Sequence, residues 1–262
     1  MNPTEGTPLL RACGLKKSFG QLEALREGNL IVNRGEVVAI VGDNGAGKST
    51  FISCIAGALR PDAGEVFLNG NPLELGSIHA AMRAGIATVY QDLAMAPELS
   101  VAENIFLSTE LRRRGIAGRL GLVDQKAMRA RAAALMDELG ITTLADVSAV
   151  AGSLSGGQRQ VVAVARAVSR AGQLIILDEP TAALGARQSQ IVLDTIHTMR
   201  ERGLGVVLIS HDLPRVLEVA DRIVVMRFGR VVAEVAPRGQ TVRHIVSLML
   251  GEESAAKESA AS

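Results

Sequence analysis

The run Gly42-Asp43-Asn44-Gly45-Ala46-Gly47-Lys48-Ser49-Thr50 satisfies the pattern G-x-x-x-x-G-K-[ST] and follows an apolar stretch, Val37-Val38-Ala39-Ile40-Val41. Its chemistry is anion capture. Residues without a Cβ take the left-handed conformations that turn successive backbone N–H groups toward one phosphate. Lys48 supplies a point charge for β- and γ-phosphates, and the Ser49 hydroxyl is placed to ligate Mg²⁺. Thr50 to Leu59 is helix-compatible, so a helix N-terminus faces the same anion. An ordinary glycine-rich turn requires no Lys-Ser pair in register behind a strand. The stretch reads as a nucleoside triphosphate site.

Three other apolar runs end in residues suited to phosphoryl transfer. Tyr90 precedes Gln91, Leu177 precedes Asp178 and Glu179, and Ser210 precedes His211. In open parallel sheets, ligands bind beyond the carboxyl ends of strands. Asp178 suits Mg²⁺, directly or through water. Glu179 can hold and deprotonate an attacking water, since positioning and charge stabilisation carry most phosphoryl transfer. Gln91 both donates and accepts hydrogen bonds and suits water or metal; His211 is placed to touch a γ-phosphate. Each alone would be a surface polar residue after a strand. Together with the loop they point to one site.

Leu154-Ser155-Gly156-Gly157-Gln158 opens an amphipathic pattern with Val161, Val164, Ala165 and Val168 on one face. Two glycines and a serine at a helix start make a second anion cradle, without a lysine. One chain has no use for two γ-phosphate cradles. In a two-fold dimer, this cradle faces the other copy's loop.

The elements that position these residues predict an α/β chain. Leu9 to Lys17, Ala24 to Val32 and Glu65 to Asn69 read as short antiparallel strands. Leu174 to Leu177 and Val206 to Ile209 lack polar alternation, as strands buried on both faces of a parallel sheet do. From about Ser100 to Ala149, Ala, Leu, Met and Arg recur at helical spacing, which predicts a helical insert holding the run Arg112-Arg113-Arg114, a solvated face. Ile223 to Val235 reads as a hairpin turning at Phe228-Gly229. A lone Phe19 upstream of the loop reads as core.

Composition narrows the class. With 28 basic and 27 acidic residues in 262, no global field draws the chain to nucleic acid, and one Tyr with no Trp removes the stacking platforms of single-strand binders. Cys13 and Cys54 have neither metal spacing nor a disulfide framework, which suits a reducing compartment. No run approaches a membrane span or a signal peptide.

Taken in order and spacing, the phosphate loop, Gln91, Leu154–Gln158, Asp178-Glu179 and His211 resemble the ATP-binding cassette (ABC) family of transporter ATPases, from about Leu9 to Gly251. The resemblance implies a P-loop NTPase (RecA-like) parallel-sheet core with an antiparallel β subdomain and a helical insert. It implies a single nucleotide-binding domain over 9–251, its insert at about 100–153, and a disordered tail at 252–262. It implies ATP and Mg²⁺ as cofactors, with two subunits sandwiching two ATP molecules. Ser155, Gly156, Gly157 and Gln158 then complete the partner's site, and Phe19 becomes an adenine-stacking residue. The stretches from Gln91 to Ile105 and from Leu154 to Leu184 are similar to those of monosaccharide importers, whose ATPases often carry two cassettes in one chain; with one, this chain resembles the single-cassette type. The implied partners are a second copy, transmembrane permease subunits and, indirectly, a periplasmic sugar-binding protein, with no nucleic acid. The implied place is the cytoplasmic face of the membrane, and the implied cargo is a monosaccharide such as fructose or ribose. The chain ends too soon after the hairpin for the regulatory domain of maltose-type importers. After Thr181 the family usually shows Ser-Ala-Leu-Asp, whereas this chain has Ala182-Ala183-Leu184-Gly185, so an aspartate that reaches across the dimer is missing. A soluble ABC ATPase acting on a protein partner stays open as an alternative. A P-loop kinase leaves the Leu154–Gln158 cradle unexplained.

Overall fold

A computed structural model describes residues 7–252 of the protein apart from 142, 143, 145, 171 and 183; the tail expected at 252–262 falls, from 253 onward, outside the described residues. In chain order, β1 (Leu10–Phe19) and β2 (Leu22–Val32) precede β3 (Val37–Val41) and α1 (Lys48–Ile55). Then come β4 (Ala63–Leu68), β5 (Asn71–Pro72), α2 (Ile78–Ala84), β6 (Ile86–Val89), α3 (Val101–Phe106), α4 (Ile116–Arg119) and α5 (Gln125–Glu138). The second half runs α6 (Gly156–Arg170), β7 (Leu174–Asp178), α7 (Ala186–Glu201), β8 (Gly205–Ile209), α8 (Leu213–Val219), β9 (Arg222–Arg227), β10 (Arg230–Val235) and α9 (Val242–Leu250).

The strands order as β5-β4-β1-β2-β10-β9-β3-β8-β7-β6. The β5-β4-β1-β2 end is antiparallel, and β9, β3, β8, β7 and β6 run parallel. Uninterrupted apolar runs make the parallel strands because each face has its own core. Val37, Ala39 and Val41 enter one cluster with α5, α6 and α7, while Val38 and Ile40 enter the other with α1 and the antiparallel strands. The same period-two split divides Ile175 and Leu177 from Leu174 and Ile176 on β7. A fully buried Val or Ile contributes about 1.5–3 kcal/mol, so each central strand is held by both cores at once. No helix among the described residues is long and apolar enough to cross a membrane.

The segment expected to be helical from Ser100 to Ala149 is helical in pieces. Leu122 O accepts from Arg113 N at 2.9 Å, and Arg112 bridges Val123, so α4 sits inside a small antiparallel turn. Three glycines explain the break. Gly115 and Gly121 take φ of +75° and +82°, and a Cβ on Gly118 would fall 1.7 Å from Arg113 O. The three arginines at 112–114 are exposed, as a solvated face requires.

Candidate active site

The phosphate loop is built between β3 and α1 and fastened by the β9–β10 turn. Gly229 N donates to Ala46 O (3.0 Å), while Gly229 O accepts from Arg26 N (2.8 Å) and Glu27 N (3.0 Å). The loop glycines fit under this clamp because nothing larger does. A Cβ on Gly47 (φ +98°) would lie 2.6 Å from Ala24 O, and one on Gly42 (φ +155°) would lie 2.3 Å from Met226 O. No side chain caps α1 at Gly47, so the first-turn N–H groups of the helix are left to the loop's concavity. Lys48 Nζ folds over the loop, donating to Gly42 O (2.6 Å) and Asp43 O (3.0 Å). Burial lowers its ammonium pKa against the opposing pull of Glu179, Asp43 and Asp178. A polyphosphate matches this cradle in shape and charge.

The cleft over the loop holds about 340 Å³ and is lined by residues from Asn44 to Thr50, by Leu22 and Arg26 of β2, and by Phe228. Phe19 stands at the β1–β2 turn, opposite Leu22 in register. It is 51% exposed, which overturns the core reading drawn from the residue alone, and Lys17 Nζ lies 5.9 Å from its ring centre. The sequence marks Phe228 only as a hairpin turn residue. It is 69% exposed at φ +47° and faces the phosphate loop. An exposed aromatic on a two-residue turn was the signal for it.

Asp178 ends β7 and Glu179 follows it on strained backbone. Glu179 has φ +52°, a conformation that costs a non-glycine residue about 1–3 kcal/mol. Its N–H donates to Ile209 O (2.9 Å), which fixes the turn against the end of β8. The carboxylate accepts from His211 Nδ1 at Oε2 (2.8 Å) and from His211 N at 3.4 Å. Burial, then the Glu179 charge, raises the Asp178 carboxyl above its ordinary range, with Lys48 opposing. Asp178 and Glu179 supply adjacent carboxyl groups and Ser49 a hydroxyl, all hard-oxygen donors of the kind Mg²⁺ takes, and a divalent cation at Asp178 would offset the burial and the Glu179 charge that raise its carboxyl. The structure therefore joins the loop, Lys48, Ser49, Asp178, Glu179 and His211 at one end of the sheet.

One expected member borders this cluster and one expected segment stands apart from it. Gln91 is exposed just beyond β6, three strands from β3 but next to β7, where Val89 pairs with Leu177, so it leaves the sheet beside Asp178 and Glu179. Its neighbour Tyr90 still feels Asp178: burial is the main cause of its raised phenol pKa, and the Asp178 charge adds to it. Ser155 to Gln158 lies at the N-terminus of α6, lining a separate cavity of about 480 Å³ with Arg187, Gln188 and Ile191. Ser155 Oγ accepts from Gln158 N (3.3 Å), and Gln158 Oε1 accepts from Ser155 N (3.0 Å), a reciprocal capping box. The cleft over the loop and this cavity share no lining residue.

Residues 25–182 match the ABC transporter family. The chain is 46% identical to a fructose import ATP-binding protein of Rhizobium meliloti over 97% of its own length and 98% of that protein's. It is 40% identical to a ribose import ATP-binding protein of Rubrobacter xylanophilus over 94% of its length, but spans 48% of that longer chain. Among solved structures, a dimeric ATP-binding cassette in a post-hydrolysis state with ADP and Pi superposes with a TM-score of 0.72 at 27% identity, covering 88% of this chain and 100% of that one. On its fold, its phosphate loop and these likenesses, the chain belongs to the ABC transporter family and is one of its ATP-binding, ATP-hydrolysing cassettes.

Proposed function

We propose that residues 9–251 form one nucleotide-binding unit that energises a membrane importer of a monosaccharide, working as a homodimer beneath permease subunits on the cytoplasmic face. The single observation that carries the dimer is the separation of the two anion cradles. Ser155–Gly157 cannot serve the loop of its own chain, since it lines a different cavity, whereas a two-fold partner turns it toward the other copy's γ-phosphate. The dimeric cassette among the likenesses supports that arrangement. The import reading is supported by the fructose and ribose relatives, whose names state that activity for those proteins. A periplasmic sugar-binding protein that docks on the permease completes the proposed assembly.

The geometry supports the following assignment of roles. The N–H groups of residues 43–50 and Lys48 bind the β- and γ-phosphates, and Lys48 exchanges its two carbonyl partners for phosphate oxygens. Phe228 lines the cleft, and the exposed Phe19, paired in register with the cleft residue Leu22, is the ring on which the base would stack. Ser49, Asp178 and Gln91 would hold Mg²⁺, which when bound neutralises charge developing on the phosphate oxygens. Glu179, fixed by His211 Nδ1, takes a proton from water as the water oxygen bonds to the γ-phosphorus. The bond to the β–γ bridging oxygen breaks, and its electron pair leaves with ADP. Lys48 and the partner's glycine amides stabilise the charge that builds on the transferred group. Closure does work only if ATP favours the clasped dimer over the open one.

Reconstitution with co-purified membrane subunits in liposomes tests the whole reading. ATP turnover should rise with a sugar-loaded binding protein, and Lys48→Ala should abolish it. Turnover without any membrane partner or sugar response would instead favour a cassette acting on a protein partner.

A further inference from the structure

The first turn of α7 carries a contact that the phosphate chemistry does not use. A Cβ on Gly157 would lie 2.4 Å from Gln188 Cγ and 2.7 Å from Gln188 Cβ, so the stem of Gln188 rests directly on the backbone of the Ser155–Gly157 cradle. At its other end, the amide oxygen is folded back over Gly185: a Cβ there would lie 2.6 Å from Gln188 Oε1. One side chain thus spans two segments. The first is the N-terminus of α6, and the second is the stretch that follows Glu179 and starts α7.

The local sequence explains why the space is open. Gly185 is the N-cap of α7, at φ −67° and ψ 163°, with no side-chain cap, so its being glycine is not a matter of backbone conformation. What a side chain at 185 would meet is the Gln188 amide. Gln188 is the third residue of the helix, where a glutamine reaches back over the cap. Beneath it the α6–α7 joint is polar as well as buried. Ser189 Oγ, on a residue 1% exposed, and Gln160 Nε2, on a residue 8% exposed, have no hydrogen-bond partner. Such atoms disfavour a fixed, fully dry contact there, since each is costly to leave unmade. Away from Gln188 the two helices share one apolar core, to which Val161, Val164 and Ala165 of α6 and Val192 and Ile196 of α7 contribute.

We propose that Gln188 is the positioning residue that couples the Ser155–Gly157 cradle to the loop carrying Glu179, occupying the space that a side chain at position 185 would otherwise fill. The proposal rests on the ATPase reading above. In that setting a shift of the cradle moves the segment after Glu179 through Gln188, so engagement of a γ-phosphate on one side is felt at the water-positioning carboxylate on the other.

The test measures steady-state ATP turnover and, separately, ATP binding at low protein concentration, for wild type, Gln188→Ala, Gly185→Asp and the double variant. Misplacing one side of a reacting constellation costs roughly ten- to a hundredfold. Gln188→Ala should lower kcat about tenfold or more while ATP affinity of the monomer changes by less than about twofold. Gly185→Asp displaces the amide and should lower kcat similarly. The double variant, which puts a polar side chain back between the two segments, should recover to within about threefold of wild type. A purely packing role would lower thermal stability without that recovery. Active wild type with unchanged kcat in Gln188→Ala, or additive losses in the double variant, overturns the proposal. A wild-type chain that turns over no ATP overturns instead the function on which it rests.

Discussion

At the scale of single residues, the site is an arrangement of groups held away from their relaxed states. Glu179 sits on left-handed backbone because its N–H is tied to Ile209 and its carboxylate to His211. Asp178 is held above the ordinary carboxyl range by burial and by Glu179. A carboxyl whose folded pKa is raised costs stability wherever it is ionised in both states. That cost is full above its folded pKa, shrinks as pH falls from there, and is gone below its ordinary value of about 3.9. Asp178→Asn should therefore raise Tm of the nucleotide-free protein at pH 7, with the gain lost near pH 3.5, while ATP turnover disappears. A lower Tm at pH 7 in a thermal melt would show that the carboxylate is stabilising instead. Phe19 makes a second claim. Stacking on a base is worth about 1–3 kcal/mol, so Phe19→Ala should weaken ATP binding about tenfold and leave inorganic triphosphate binding unchanged. Calorimetry with the two ligands separates these outcomes, and equal ATP affinity would remove Phe19 from the base.

At the scale of elements, short helices are placed by polar fasteners rather than by their own propensity. The helix α3 has six residues and a capping box between Ser100 and Glu103. Buried Asn104 on it accepts from Ala96 N (2.9 Å) and donates to Ala96 O (2.9 Å), Leu99 O (3.2 Å) and Ser100 O (3.1 Å). It thereby shapes the approach from Gln91 to the helical insert. Asn104→Ala strands buried backbone groups and should cost about 2–3 kcal/mol, a fall in Tm of about 6 °C. An unchanged melt would assign that loop's order to something else. These fasteners also mark the limit of what residue patterns reveal. The central strands were legible because Val, Ile and Leu runs can bury both faces only inside a parallel sheet. The strand-end chemistry was legible because each functional residue directly follows such a run. The order of strands was not, because pairing is set by long-range packing, and so Gln91 emerged three strands from β3. Nor was the role of Phe228, which depends on a turn folding back onto the phosphate loop. Neither was the contact of Gln188 with Gly157 and Gly185, which joins two helices by side-chain shape alone.

At the scale of the whole molecule, the two anion cradles open onto different surfaces, with the loop of residues 42–50 lining one cavity and Ser155–Gly157 another. A formal net charge of +1 on 262 residues gives two copies little reason to repel, so the nucleotide's own contacts decide whether they close. In the proposed dimer hydrolysis ends the closed state, so a variant that binds ATP without hydrolysing it should hold the pair together. Glu179→Gln keeps an acceptor for His211 Nδ1 but cannot take the proton from water. Sedimentation of this variant with saturating Mg-ATP is the most direct measurement of the account. A stable dimer that reverts to monomer when ATP is withdrawn, or when Lys48→Ala is added, is the predicted result. A monomer at saturating Mg-ATP, with the nucleotide demonstrably bound, would contradict it.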